Sequence, residues 1–106
     1  AQGLLRLARW LRAHGAGGDG DRYEQAGLVT ARSLLSDGYL ALDAEHQGLL
    51  LHSIYHHPNG WDHRPDGVKI PAGESSMWGD YHLMELAVYI QRLAQNGIYH
   101  KYFLDR

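Results

Sequence analysis

DYHLMELAVYIQRLAQ, residues 80–95, is a segment in which apolar side chains occupy nearly every side of a predicted helix. Asp80 is a plausible N-cap for this helix. A helix that is apolar all round is normally buried all round. The rest of the chain offers few helices to cover it. We therefore expect a final buried helix whose neighbours include helices outside this sequence or a second copy of the chain, and hence a homo-oligomer of the isolated chain.

Two earlier segments are also predicted to be helical. Over residues 2–14 an apolar stripe recurs at helical spacing: Leu4, Leu7, Ala8 and Leu11. Gly15 favours the left-handed conformation that ends a helix. Asp21 and Glu24 have the spacing of a capping box, which predicts a second helix from Asp21. It ends near Gly38 or continues to about residue 43. The short connection favours an antiparallel helical hairpin.

The centre of the chain has a different pattern. Residues 48–57 form a short apolar run that is typical of a strand or extended segment. Residues 58–79 follow as a predicted loop with three turn signals, which begin at Pro58, Pro65 and Pro71. Loops of this length are usually functional or disordered, and Trp61 and Trp78 argue against disorder.

Composition excludes several classes of protein. The net charge is −2 and like charges do not cluster, so no nucleic-acid partner is expected. No apolar run approaches the ~18 residues of a membrane span. The absence of cysteine agrees with a reducing, cytoplasmic location. Helical periodicity is already present by Leu4, which suggests that the sequence begins inside an element of a longer chain.

Eight histidines give the sequence one possible metal signal. His52, His56, His57 and His63 crowd one segment, and imidazole is a common zinc ligand. Their spacing has no helical support and no nearby carboxylate pair. Histidines that hydrogen-bond a substrate or the backbone are the favoured interpretation, and we expect neither a metal nor another cofactor.

The loop also combines aromatic and polar residues. Sugars pack their C–H faces on aromatic rings and need directed hydrogen bonds for their hydroxyls, and ligand clefts combine both kinds of group. The candidate substrate-binding residues are Tyr55, His56, Trp61, Ser75, Ser76 and Trp78. The alternative for Trp78 and Tyr81 is that they only hold the loop against the helix. The acids Asp62 and Asp66 have the character of turn residues, and no carboxylate pair has the pattern of a glycosidase site.

Two segments, LLLHSIYHHPNGWD (49–62) and GESSMWGDYHLMELAVYIQRL (73–93), resemble the C-terminal end of unsaturated glucuronyl hydrolases, glycoside hydrolase family 88. The order H-x-x-Y-H, polar loop, W-G-D-Y and apolar helix carries the resemblance, and the helical hairpin also fits. The resemblance implies an all-α fold, in which residues 1–106 are the C-terminal portion of a single (α/α)6-barrel catalytic domain.

The resemblance also implies an activity. Such enzymes remove a 4,5-unsaturated uronic acid from oligosaccharides left by polysaccharide lyases, and an aspartate hydrates the double bond. The family's key aspartates lie in earlier barrel helices, so we assign no catalytic residue in this chain. Tyr55 matches a family tyrosine at the uronate subsite, and His56 follows it. The loop 57–77, longer here than in the family, matches the part that contacts the leaving sugar, with Arg64, Lys69, Ser75 and Ser76 as candidate contacts.

Two other functions remain open on the sequence. The first is a catalytically silent carbohydrate-binding or interaction domain. The second is a metal-binding helical domain.

Overall fold

The computed structural model describes residues 1–97, which contain three α-helices. These are α1 (Gln2–Ala13), α2 (Gly17–Leu34) and α3 (Met77–Ala94), and a single 3-10 turn (His57–Asn59) lies between α2 and α3. The described part of the chain has no β-strand, which confirms the all-α class. None of its helices is long and apolar enough to cross a membrane.

Helices α1 and α2 form the predicted antiparallel hairpin. Gly15, with φ +82°, follows the end of α1 as expected from its sequence position. Gly27 of α2 lies against Leu5 of α1 so closely that a Cβ on it would be 2.8 Å from the Leu5 Cγ and Cδ2 atoms. Gly20 similarly approaches the Ala8 carbonyl oxygen, 2.9 Å from a built Cβ. The two glycines thus allow α2 to pack closely along α1.

The predicted start of α2 at Asp21 is wrong, because the helix begins at Gly17 with Ala16 as its N-cap. Asp21 and Glu24 do not form a capping box. Instead both carboxylates bind the Arg12 guanidinium, whose Nη2 lies 2.6 Å from Asp21 Oδ1 and 2.6 Å from Glu24 Oε2. Arg12 is in the last turn of α1. These acids therefore link the end of one helix to the start of the next, a contact between helices that the capping pattern does not predict.

Helix α3 packs on the hairpin through one face. Leu86 and Tyr89 are buried in a common core with Leu5 of α1 and Ala31 of α2. Its opposite face is not covered within the described residues. Exposure is 82% at Met77, 61% at Tyr81, 52% at Met84 and 44% at Val88. Within residues 1–97 the hairpin thus covers one side of α3, and the expected neighbours on its other side, helices outside this sequence or a second copy of the chain, stay a prediction.

Residues 35–76 form a layer of turns between α2 and α3. Of the strand or extended segment predicted at 48–57, the structure forms no strand and has a single antiparallel bridge between Leu40 and Leu50. Two backbone hydrogen bonds flank it, from Ala41 N to Leu49 O at 2.9 Å and from Leu51 N to Tyr39 O at 2.8 Å.

Asp80 attaches this layer of turns to α3. Its carboxylate accepts hydrogen bonds from Leu49 N at 2.9 Å and Leu50 N at 2.8 Å. The predicted N-cap role of Asp80 is wrong. Helix α3 starts at Met77 and Ser76 is its N-cap, with Ser76 Oγ accepting from Gly79 N at 3.1 Å.

Candidate functional site

Four of the side chains predicted to bind substrate lie together. Three belong to the layer of turns at residues 35–76, which we call the loop layer, and Trp78 is in the first turn of α3. The Tyr55 ring centroid is 5.5 Å from that of Trp61 and 4.8 Å from that of Trp78. The His56 ring is 5.3 Å from Trp61. We call these four residues, Tyr55, His56, Trp61 and Trp78, the aromatic platform.

A local turn brings Trp61 back over Tyr55. The predicted turn at Pro58 forms as the 3-10 turn, which ends at Gly60 with φ +64°. Gly60 N donates to the His57 carbonyl oxygen at 3.1 Å. The positive φ suits glycine and reverses the chain, so that the next residue, Trp61, faces Tyr55 and His56.

The Asp62 carboxylate fixes the backbone on the other side of this turn. It accepts hydrogen bonds from the backbone nitrogens of Tyr55 and His56, the latter at 3.1 Å. The sequence pattern predicts a turn role for Asp62 and does not predict this contact. Asp62 matters to the platform because the turn brings its carboxylate back to the backbone of Tyr55 and His56. The sequence signal for this contact is an acid two residues after the Pro58-Asn59-Gly60 turn.

The platform is open to solvent. Exposure is 55% for Tyr55, 61% for Trp61 and 46% for Trp78. Large aromatic side chains contribute most to stability when they are buried, so a clustered and exposed set is unusual for a purely structural role. Trp78 does contact the loop, through Tyr55, whereas Tyr81 contacts His82 and lines a groove between α1 and α3.

Ser75 and Ser76 do not join the platform. They line a separate cleft of about 490 Å³ together with His46, Glu74 and Asp80. Ser76 Oγ is used as the α3 cap. Ser75 Oγ is buried and has no hydrogen-bond partner within residues 1–97, and its Cβ would be only 2.2 Å from a Cβ on Gly48. Both serines are therefore placed by packing and capping at the start of α3.

Polar and charged groups lie beside the platform. Arg64 lines a cleft of about 380 Å³ with His57, Asn59 and Asp62, between the residues that flank Trp61. Lys69 is exposed. Arginine presents a planar set of donors that suits carboxylate and sulfate groups. The edge of the platform thus has one cation and several hydrogen-bonding groups within the same loop.

Asp62, Asp80 and His52 bind backbone groups of the loop layer. Both carboxylate oxygens of Asp62, and both of Asp80, accept backbone N–H groups. His52 hydrogen-bonds backbone atoms of Gly38 and Gly73. In the part of the chain that the structure describes, no three histidine or acidic side chains are grouped so as to hold a metal ion.

Comparison of the chain with protein-family models, with curated proteins and with solved structures found no match.

Proposed function

We propose that this chain binds carbohydrate through the aromatic platform and that it is one part of a larger helical glycoside hydrolase. The observation that carries the proposal is the convergence of Tyr55, His56, Trp61 and Trp78 on one exposed surface. The tilted and exposed rings offer apolar faces to the C–H groups of a pyranose. Arg64 and Asn59 beside Trp61 supply donors for hydroxyl or anionic substituents.

The proposed substrate is an oligosaccharide that ends in a 4,5-unsaturated uronic acid. The support for this class is the resemblance of 49–62 and 73–93 to the C-terminal end of unsaturated glucuronyl hydrolases. In the proposed parent enzyme, an aspartate from another part of the barrel hydrates the double bond, and this chain contributes contacts to the sugar. Asp62 and Asp80 are occupied by backbone N–H groups, which agrees with a supporting role for both.

The first experiment measures binding by calorimetry with an unsaturated uronyl disaccharide and Trp61→Ala. Loss of one stacking ring should weaken binding by at least about threefold. Trp10→Ala is the matched control, since Trp10 is 56% exposed on α1 and stacks on His14 rather than on the platform. Equal affinities of the two variants would contradict the proposal.

A second experiment measures the activity of the isolated chain. We expect no decrease in the absorbance of the unsaturated double bond after addition of pure protein, because the chain has no assigned general acid. A decrease in this absorbance, at a rate proportional to the protein concentration, would contradict the proposal that the general acid comes from another part of the barrel.

One observation favours a second candidate, a non-catalytic interaction domain. The exposed apolar side of α3, formed by Met77, Tyr81, Met84 and Val88, lies on the opposite side of the helix from its buried face. Exposed apolar patches of this kind are common at protein interfaces. For this candidate we expect self-association that Met84→Glu abolishes, and a monomer by light scattering for the unsubstituted chain would contradict it.

A further inference from the structure

Two histidine rings hold both polar groups of the Gly73 backbone. Gly73 N donates to His52 Nδ1 at 3.1 Å, and His46 Nε2 lies 3.1 Å from Gly73 O. Each ring also binds a second point on the loop layer. Gly48 N donates to His46 Nδ1 at 3.0 Å, and His52 Nε2 lies 3.1 Å from Gly38 O.

The donor and acceptor roles in these four contacts assign a protonation state to each ring, and the competing contact is that of His46 Nδ1 with Gly48 O at 3.2 Å. A ring nitrogen that accepts a hydrogen bond from a backbone N–H carries a lone pair, so Nδ1 is unprotonated in His46 and in His52. The other nitrogen faces a carbonyl oxygen and must carry the hydrogen. Both histidines are therefore neutral Nε2–H tautomers when all four hydrogen bonds are present.

We propose that His46 and His52 form a proton-operated clamp on Gly73, which holds the loop layer closed when both rings are neutral and releases it in acid. Protonation places a hydrogen on Nδ1, where it opposes the N–H of Gly48 or of Gly73. Two donors cannot share one hydrogen bond, so each protonation breaks one contact of the clamp.

The groups around the two rings differ. The Glu74 carboxylate lies 4.0 Å from His46 Nε2. The protonated Nδ1 of His46 also has the Gly48 carbonyl oxygen as a substitute acceptor, at 3.2 Å. The contacts of His52 are the Gly38 oxygen, the Gly73 nitrogen and the edge of the Tyr39 ring, and a phenol is neutral in acid. His52 is therefore the ring whose protonation opens the clamp.

The backbone of His52 adds to this effect. Its φ of +64° is a left-handed conformation that costs free energy in residues other than glycine. The two ring contacts oppose that cost while the clamp is closed. When the hydrogen bond to Gly73 is lost, the ring contact with Gly38 O is left to oppose the cost of the positive φ at His52.

The clamp is connected to the aromatic platform through the neighbouring backbone. Ser53 N donates to Glu74 O at 3.0 Å, directly beside the Gly73 contacts. Tyr55 is two residues after Ser53, and Trp78, in the first turn of α3, is four residues after Glu74. Release of Gly73 therefore loosens the position of Tyr55 relative to Trp78. The clamp needs no bound sugar, so its test is independent of the proposed function.

The experiment is a nuclear magnetic resonance titration of the whole chain from about pH 8 to about pH 5, the interval in which histidine titrates. We expect Nε2–H tautomers of both rings at the upper end. The Gly73 amide signal should follow the protonation of His52. Its hydrogen exchange, corrected for the intrinsic effect of pH, should rise about fivefold, the ratio that corresponds to the loss of one typical hydrogen bond.

Two variants accompany the titration. His52→Asn removes the titrating ring and keeps a residue that accepts positive φ. It should abolish the pH response of Gly73. His63→Asn changes another loop histidine, for which the structure describes no side-chain hydrogen bond, and should preserve the response. The proposal is overturned if His52 in the unsubstituted chain is an Nδ1–H tautomer at about pH 8, or if its protonation leaves the Gly73 amide unchanged.

Discussion

Replacement of Asp80 by asparagine tests how the loop layer is attached to α3. The two Asp80 oxygens accept from Leu49 N and Leu50 N, at 2.9 and 2.8 Å. Asparagine keeps one oxygen and places an NH2 group where the other was, so one backbone N–H loses its acceptor. A hydrogen bond to a charged group contributes about 1.5–3 kcal/mol, and an acid in the first turn of a helix about 0.3–1 kcal/mol. Since Leu49 is partly exposed, we expect a loss of about 2 kcal/mol in the free energy of unfolding.

The assay is thermal and urea unfolding followed by circular dichroism, with a decrease in Tm of roughly 10 °C for Asp80→Asn. Asp66→Asn is the control, because Asp66 is an exposed acid in another turn of the same loop, and its effect should stay within about 0.5 kcal/mol. An N-cap role for Asp80 leads to a different result, since asparagine and aspartate cap helices about equally well. Equal stability of Asp80→Asn and the unsubstituted chain would therefore refute the contacts to Leu49 and Leu50.

Two further predictions concern the helical hairpin. Gly27→Ala should be less stable than Gly18→Ala by about 1–3 kcal/mol in urea unfolding, because the new methyl group meets Leu5 whereas nothing lies within 4 Å at Gly18; equal stabilities would contradict the close packing. The hydrogen bonds from Arg12 lower the pKa of Glu24 below its ordinary value of 4.5. Ionised Glu24 therefore stabilises the folded state when the pH is above 4.5, and this contribution is lost as the pH falls through the lowered pKa. The stability difference between the unsubstituted chain and Glu24→Gln should accordingly shrink from about pH 7 to about pH 3, and a constant difference would contradict the pairing.

The sequence predicts the bounds of α1 well, because its helical spacing and Gly15 agree with the helix that forms. The predicted apolar stripe is only partly right: Ala8 is buried, whereas Leu7 is exposed and Leu5, which is not on the stripe, is buried in the core. It fails at the start of α2 because Asp21 and Glu24 have two possible partners, the local backbone and a distant arginine. A capping pattern describes only the first of these. The contact with Arg12 depends on how the hairpin closes.

The start of α3 is predicted wrongly for the same reason, since a polar side chain can bind either the local backbone or a distant part of the chain. Ser76 and Asp80 are both good capping residues, and spacing alone does not decide between them. The Asp80 carboxylate instead accepts hydrogen bonds from the backbone of Leu49 and Leu50, which are about thirty residues away in the sequence. The apolar circumference of α3 predicts burial, yet a sequence pattern contains no information on which neighbours are present. For the candidate site, the turn at Gly60 was predictable, whereas the separation of Ser75 from the aromatic rings depends on the orientation of the first turn of α3.

The indole N–H signals of the three tryptophans give the most direct test of the aromatic platform as a carbohydrate surface. On addition of an unsaturated uronyl disaccharide, we predict that the signals of Trp61 and Trp78 shift together along one binding curve. The signal of Trp10, on the outer side of α1, should stay in place. Unchanged signals of Trp61 and Trp78 at saturating disaccharide, or equal shifts of all three, would contradict the proposed function.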